Sequence, residues 1–175
     1  METLTIERDL DLTEIINGEE VVSPIPFTKH QRIISNLFRI IDRHVEANKL
    51  GKVYLAPLDV IFEEGVNRLQ PDILFIRKEN AAIEQDWIRG VPDIVCEVVS
   101  AWSYKKDMVV KRAIYEKYKV PEYWIIVSEL LAIEVLTIEG DRYRTFSIGD
   151  IEGDGLVTSK VIEGLQVNIK DVFEV

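Results

Sequence analysis

Residues 94–99, Ile94-Val95-Cys96-Glu97-Val98-Val99, are apolar throughout except for one carboxylate. A run that is apolar at every position, rather than at every second one, suits a strand covered on both faces. It is followed by a helical pattern from about Tyr104 to Tyr118, which Val120-Pro121 stops, and then by a second apolar run, Tyr123 to Val127. Strand, helix and strand at this spacing form a crossover, and a crossover joins parallel neighbours. The spacing therefore predicts an α/β protein whose sheet is at least partly parallel.

The rest of the chain supplies further strands and one long helix. The helix begins near Thr28, with Ile33, Ile34, Leu37, Ile40, Ile41 and Val45 at helical spacing, and Gly51 ends it. Val53 to Pro57, Val60 to Phe62 and Asp72 to Ile76 read as strands. Ile133 to Ile138 and Tyr143 to Ile148 flank Glu139-Gly140-Asp141 as a hairpin. Residues 9–16 suggest a short helical turn, ahead of an Asn17-Gly18 turn and a short strand at 20–22. Gly164 to Val175 suggests a short strand and a terminal turn. With 175 residues, a single domain over 1–175 is expected. No apolar run approaches the ~20 residues of a membrane span, and the first residues do not resemble a signal peptide. Cys96 is the only cysteine, so no internal disulfide can form, and within its apolar run it reads as a small buried hydrophobe. A cytoplasmic protein is expected, and the sequence leaves room for a homodimer.

The informative residues are charges where the pattern wants apolar side chains. Glu97 interrupts a core strand, and a carboxylate buried there needs a partner or a metal. A structural salt bridge is the plainer explanation. Asp72 follows Pro71 at a strand start, which alone is ordinary turn chemistry; its interest lies in company with Glu97. Placed at about 100° steps around the helix, Asp107 and Lys111 fall on the arc that carries Val110, Ile114 and Tyr118, with Tyr115 next to it. Lys105, Arg112, Glu116 and Lys119 fall on the opposite, wet side. His30 lies on the apolar face of the first helix, where a core or capping role is the simpler reading.

Overall charge argues against a broad nucleic-acid surface: 31 acidic residues stand against 21 basic ones, a net of −10. Residues 101–120 nonetheless carry +4, from Lys105, Lys106, Lys111, Arg112, Lys117 and Lys119 against Asp107 and Glu116. A basic helix over 104–119 could steer DNA to one face of an acidic protein, although a solvated helix face has the same composition.

Two carboxylates on neighbouring strands can hold Mg²⁺ or Mn²⁺, which prefer oxygen ligands. Such an ion activates water and offsets charge on a phosphate, and a nearby lysine can assist. Asp72, Glu97 and Lys111 are thus a minimal set for phosphodiester hydrolysis. No phosphate-binding GxxxxGK[ST] loop, HExxH or GxSxG motif is present.

With these residues in view, the sequence resembles the Uma-two family of putative restriction endonucleases, within the PD-(D/E)XK nuclease superfamily. The segments that carry the resemblance are residues 55–60, Gln70 to Ile76, Gly90 to Ser100, Asp107 with Lys111 and Tyr115, and Val120-Pro121-Glu122-Tyr123-Trp124. Asn17-Gly18-Glu19 and His30-Gln31 also fit. The resemblance implies a restriction-endonuclease-like fold, a mixed central sheet flanked by helices. It implies Mg²⁺-dependent endonuclease activity on DNA, with Asp72, Glu97 and the Val98 backbone carbonyl as metal ligands and His30, Asp107 and Tyr115 in support. The pattern departs at one position. The superfamily's lysine normally sits two residues after the glutamate, where this chain has Val99, and the resemblance implies that Lys111 replaces it from the helix. A catalytically inactive nuclease-fold protein, serving as a nucleic-acid-binding or protein-interaction module, is the alternative.

Overall fold

The apolar run at 94–99 lies in the middle of a six-stranded sheet. The computed structural model describes residues 12–22, 27–100 and 104–174, with side chains of the second long helix described from Met108 onward. In chain order the elements are β1 (Thr13–Ile16), β2 (Glu19–Val22), α1 (Thr28–Asn48), β3 (Gly51–Leu55), β4 (Val60–Glu63), β5 (Asn67–Leu69) and β6 (Ile73–Arg77). After a 3-10 segment at Lys78–Ile83 come β7 (Ile88–Arg89), β8 (Ile94–Val99), α2 (Tyr104–Lys117), β9 (Glu122–Val127), β10 (Ala132–Glu139) and β11 (Arg142–Asp150). β12 (Leu156–Thr158), β13 (Gln166–Asn168) and α3 (Ile169–Phe173) complete the chain.

The large sheet has the order β11-β10-β9-β8-β6-β3. β8 and β9 are parallel, with Ile94 opposite Glu122 and Val99 opposite Val127, and α2 is their crossover, as the spacing predicts. Its other neighbours are antiparallel, so the sheet is mixed. Alternation along β8 assigns its two faces. Ile94, Cys96 and Val98 join a core with Ile33, Leu37 and Ile41 of α1 and Ile169 and Val172 of α3. Val95 and Val99 join a second core with Ile114 and Tyr115 of α2. That second face is shared: a smaller sheet, β2-β1-β5-β4-β7, contributes Val60, Leu69 and Ile88 beside α2.

α1 forms because its apolar positions make one stripe. Ile33, Ile34, Leu37, Ile41 and Val45 are all buried, contributing on the order of 10 kcal/mol before the entropy of ordering is set against it. Lys49, in the left-handed conformation, closes the helix. Gly51 opens β3 instead of ending α1, and only glycine fits there, since a Cβ would stand 2.0 Å from the Ile76 carbonyl oxygen. Thr13–Ile16 is a strand, not part of a helical turn; residues 9–11 lie outside the described residues. Asn17 and Gly18 both have positive φ, 52° and 83°, the geometry of a tight hairpin, and that turn pairs the residues before it with Glu19–Val22.

Glu122 anchors the C-terminal segment. It is fully buried and accepts from Trp124 Nε1, Ser159 Oγ, and the backbone N–H groups of Lys160 and Val161. Among the described residues, no helix is long and apolar enough to cross a membrane.

Candidate active site

The site begins where the β6–β8 ladder stops. Ile73 stands opposite Cys96, so continuing the register puts Asp72 opposite Glu97 and Pro71 opposite Val98. Pro71 has no N–H, and side chains take over the Val98 backbone. Asp72 Oδ2 accepts from the Val98 N–H at 2.7 Å. His30, in the first turn of α1, brings Nε2 to 3.1 Å from the Val98 carbonyl oxygen and 3.4 Å from Asp72 Oδ2. Both neighbours are acceptors, so Nε2 carries the proton. Nδ1 of the same ring is buried without a partner. Burial alone would lower the His30 pKa, but Asp72 and the Val98 carbonyl outweigh it and raise it.

Glu97 alternates with Cys96 and Val98, so it faces α2. Its Oε1 accepts from the Tyr115 hydroxyl at 2.6 Å and from Lys111 Nζ at 3.1 Å. Lys111 Nζ also reaches Glu14 Oε1, on β1, at 2.9 Å. The same Glu14 oxygen accepts from the Gln70 N–H at 2.8 Å. The cluster is dry: Glu14 is 3%, Glu97 and Lys111 each 6%, and Tyr115 0% exposed.

Burial pushes the Glu97 pKa up to about 8; Lys111 opposes that shift, while Asp72 and Glu14 add to it. Burial would pull Lys111 down, yet Glu97 and Glu14 hold its pKa above the ordinary lysine value, so it remains an ammonium. Tyr115 is pushed well up by burial and by Glu97, so it stays a hydroxyl donor. Glu97 and Glu14 thus flank a single lysine, with Asp72 and His30 at the edge of the cluster. Cys96, buried with its thiol pKa raised well above its usual value, behaves as a core residue.

The structure joins Asp72, Val98 and His30 in one set of contacts and Glu97, Lys111 and Tyr115 in a second, and the register makes Asp72 and Glu97 neighbours. The side chains of Asp107, Lys105 and Lys106 lie outside the described residues. Lys111 has Glu14 and Glu97 as its partners, and Val99, at the superfamily's usual lysine position, packs into the α2-side core. Glu14 is the residue that sequence reasoning missed. Its signal was a lone carboxylate just before the Asn17-Gly18 turn, legible only once residues 13–16 are read as a strand. The expected basic helix is partly neutralised, since Lys117 pairs with Glu63 at 3.5 Å and Lys119 with Asp141 at 2.7 Å.

Among the described residues, no three His, Cys, Asp or Glu side chains form a ready-made metal cage. The available donors are the Asp72 and Glu97 carboxylates and the Val98 carbonyl. All are hard oxygens, and such a set fits Mg²⁺ or Mn²⁺ with water completing the shell.

The sequence matches the profile of the family described as "Uma2: Putative restriction endonuclease" over residues 1–170. No curated protein matches the chain. Among solved structures, it is similar to a putative nuclease belonging to DUF820 from Anabaena variabilis, with a TM-score of 0.77 at 23% identity. The likeness covers 93% of this chain and 89% of that one. At that identity it establishes the fold, a restriction-endonuclease-like mixed α/β architecture.

Proposed function

This chain belongs to the Uma2 family of putative restriction endonucleases, and from that premise we propose that it is a Mg²⁺- or Mn²⁺-dependent endonuclease hydrolysing DNA phosphodiester bonds. The observations that support the proposal are two: Asp72, at the end of the β6–β8 ladder, accepts from the Val98 N–H, and Glu97, its neighbour by register, holds the Lys111 ammonium delivered from α2. Asp72, Glu97 and the Val98 carbonyl would hold the cation. When bound, the cation would polarise the phosphate and make water a better nucleophile near neutral pH.

The chain's own residues supply the rest. Lys111, charged at neutral pH, donates hydrogen bonds, so it orients the attacking water or offsets charge on the phosphate. A well-placed donor of this kind contributes about 2–4 kcal/mol. The Tyr115 hydroxyl fixes one Glu97 oxygen and leaves the carboxylate a defined direction. Glu14 holds the ammonium from its other side. His30 supports Asp72 through its Nε2–H and fixes the Val98 carbonyl. A DNA substrate accords with a cytoplasmic location.

A second reading, an inactive nuclease-fold binding module, is favoured by Val99 at the usual lysine position and by the two carboxylates that already occupy Lys111. The two differ on supercoiled plasmid. The enzyme nicks it with Mg²⁺ or Mn²⁺, stops in EDTA, and is abolished by Asp72→Asn. Purified, folded protein that nicks nothing with either ion supports the binding module instead.

A further inference from the structure

α2 has a second functional side. Between α2 and β11 lies a cleft of about 430 Å³, lined by Val109, Arg112, Glu116, Arg142, Tyr143 and Arg144. We propose that this cleft docks phosphates of duplex DNA flanking the bond to be cut, an inference that rests on the nuclease reading of the neighbouring site.

The first argument is charge. Three guanidinium groups share the cleft with one carboxylate in a chain whose net charge is −10. Glu116 is already engaged by Arg142 Nη1 at 3.0 Å and by the Tyr143 N–H at 2.7 Å. Among the described residues Arg112 and Arg144 form no ion pair, whereas Lys117 and Lys119 nearby are spent on Glu63 and Asp141. Cations in a concavity that no carboxylate holds in a close pair attract a polyanion, whereas the net charge of the chain repels it.

The second argument is residue type. Arginine presents a planar fork that matches phosphate oxygens, and it keeps its charge at any working pH. The third is placement. Lys111 and Arg112 are consecutive on α2 and point about 100° apart, so the cluster and the cleft lie on adjoining sides of one helix, separated by no more than its width. A helix with its side chains is about 10–12 Å across, or about three nucleotides along one strand at roughly 3.4 Å each. A strand engaged at the cluster therefore has phosphates within reach of the cleft.

The test measures binding of a short fluorescein-labelled DNA duplex in EDTA, where cleavage cannot occur, across NaCl from about 50 to 200 mM. Each phosphate contact contributes roughly 0.9 to the slope of log affinity against log salt. Arg112→Gln/Arg144→Gln should lower the magnitude of the slope by about 2. A control, Arg43→Gln/Lys49→Gln, removes the same charge from an exposed position on α1 and from the exposed residue that closes it, across the large sheet, and should keep the wild-type slope. An unchanged slope in the cleft variant, an equal loss in the control, or no measurable affinity in the wild type each overturns the docking surface. A cleft-dependent slope in a protein that nicks nothing with Mg²⁺ or Mn²⁺ upholds the surface and overturns the nuclease reading.

Discussion

Lys111→Met removes an ammonium held between Glu14 Oε1 at 2.9 Å and Glu97 Oε1 at 3.1 Å, in surroundings that leave the lysine 6% exposed. The methionine retains most of the stem's volume, so the change is chiefly one of charge. Removing one partner from a buried ion pair typically costs about 3–5 kcal/mol, because the remaining charge is left without compensation. For a chain of this size each kcal/mol lowers Tm by about 2–4 °C, so the variant should melt about 6–20 °C below wild type near pH 8. The loss should shrink in acid. Glu97 already takes up a proton more readily folded than unfolded, with a pKa of about 8 against 4.5, and loss of the ammonium raises it further. Protonated Glu97 relieves the repulsion with Glu14, so the deficit should be smaller at about pH 6 than at about pH 9. Thermal unfolding followed by circular dichroism at both values measures this, and nicking must be assayed below the variant's Tm. A folded variant melting within about 2 °C of wild type near pH 8 would refute the buried three-way contact. A folded variant that still nicks at the wild-type rate would refute the catalytic role of Lys111.

Without metal, the Glu97 contribution to wild-type stability is complete below about pH 4.5 and is lost as pH rises through about 8, at no more than about 1.4 kcal/mol per pH unit; urea unfolding that is flat over this window contradicts the assignment. Mn²⁺ titrated into wild type should give a calorimetric signal that Asp72→Ala/Glu97→Ala lacks, and equal binding by both would remove the metal site. Glu122→Ala strips the acceptor from four donors, including two backbone N–H groups, and should cost about 3–5 kcal/mol in urea unfolding; a loss below about 1 kcal/mol would show that water replaces the carboxylate.

The crossover was legible because β8 and β9 are apolar at nearly every position, and Pro121 marks the end of α2. The inward turn of Lys111 and Tyr115 was legible for a related reason, since helical periodicity fixes direction once one apolar stripe is known. Glu14 was not. Its partner Lys111 is distant along the chain, and four residues with one carboxylate show neither period clearly. β5 and β7 escaped because three and two residues give no pattern; pairing across the small sheet makes them strands. The Val98 carbonyl was named through family resemblance, but the reason it leaves the ladder, Pro71 opposite, emerges only from the register of β6 against β8.

The three-way contact at Lys111 also has a history in time. Glu97, Lys111 and Tyr115 belong to one β8–α2–β9 unit, whereas Glu14 arrives from a strand far earlier in the chain. Closing a long loop must precede the contacts that reward it, so distant pairings form late during folding. The crossover unit should act as a local nucleus that already contains the Glu97–Lys111 pair. Glu14 should join after the transition state, leaving Glu14→Gln with a φ-value near 0 while conservative truncations such as Ile125→Val score well above it. The ammonium would then meet its first carboxylate while the sheet is still assembling, and its second only when the small sheet closes over α2.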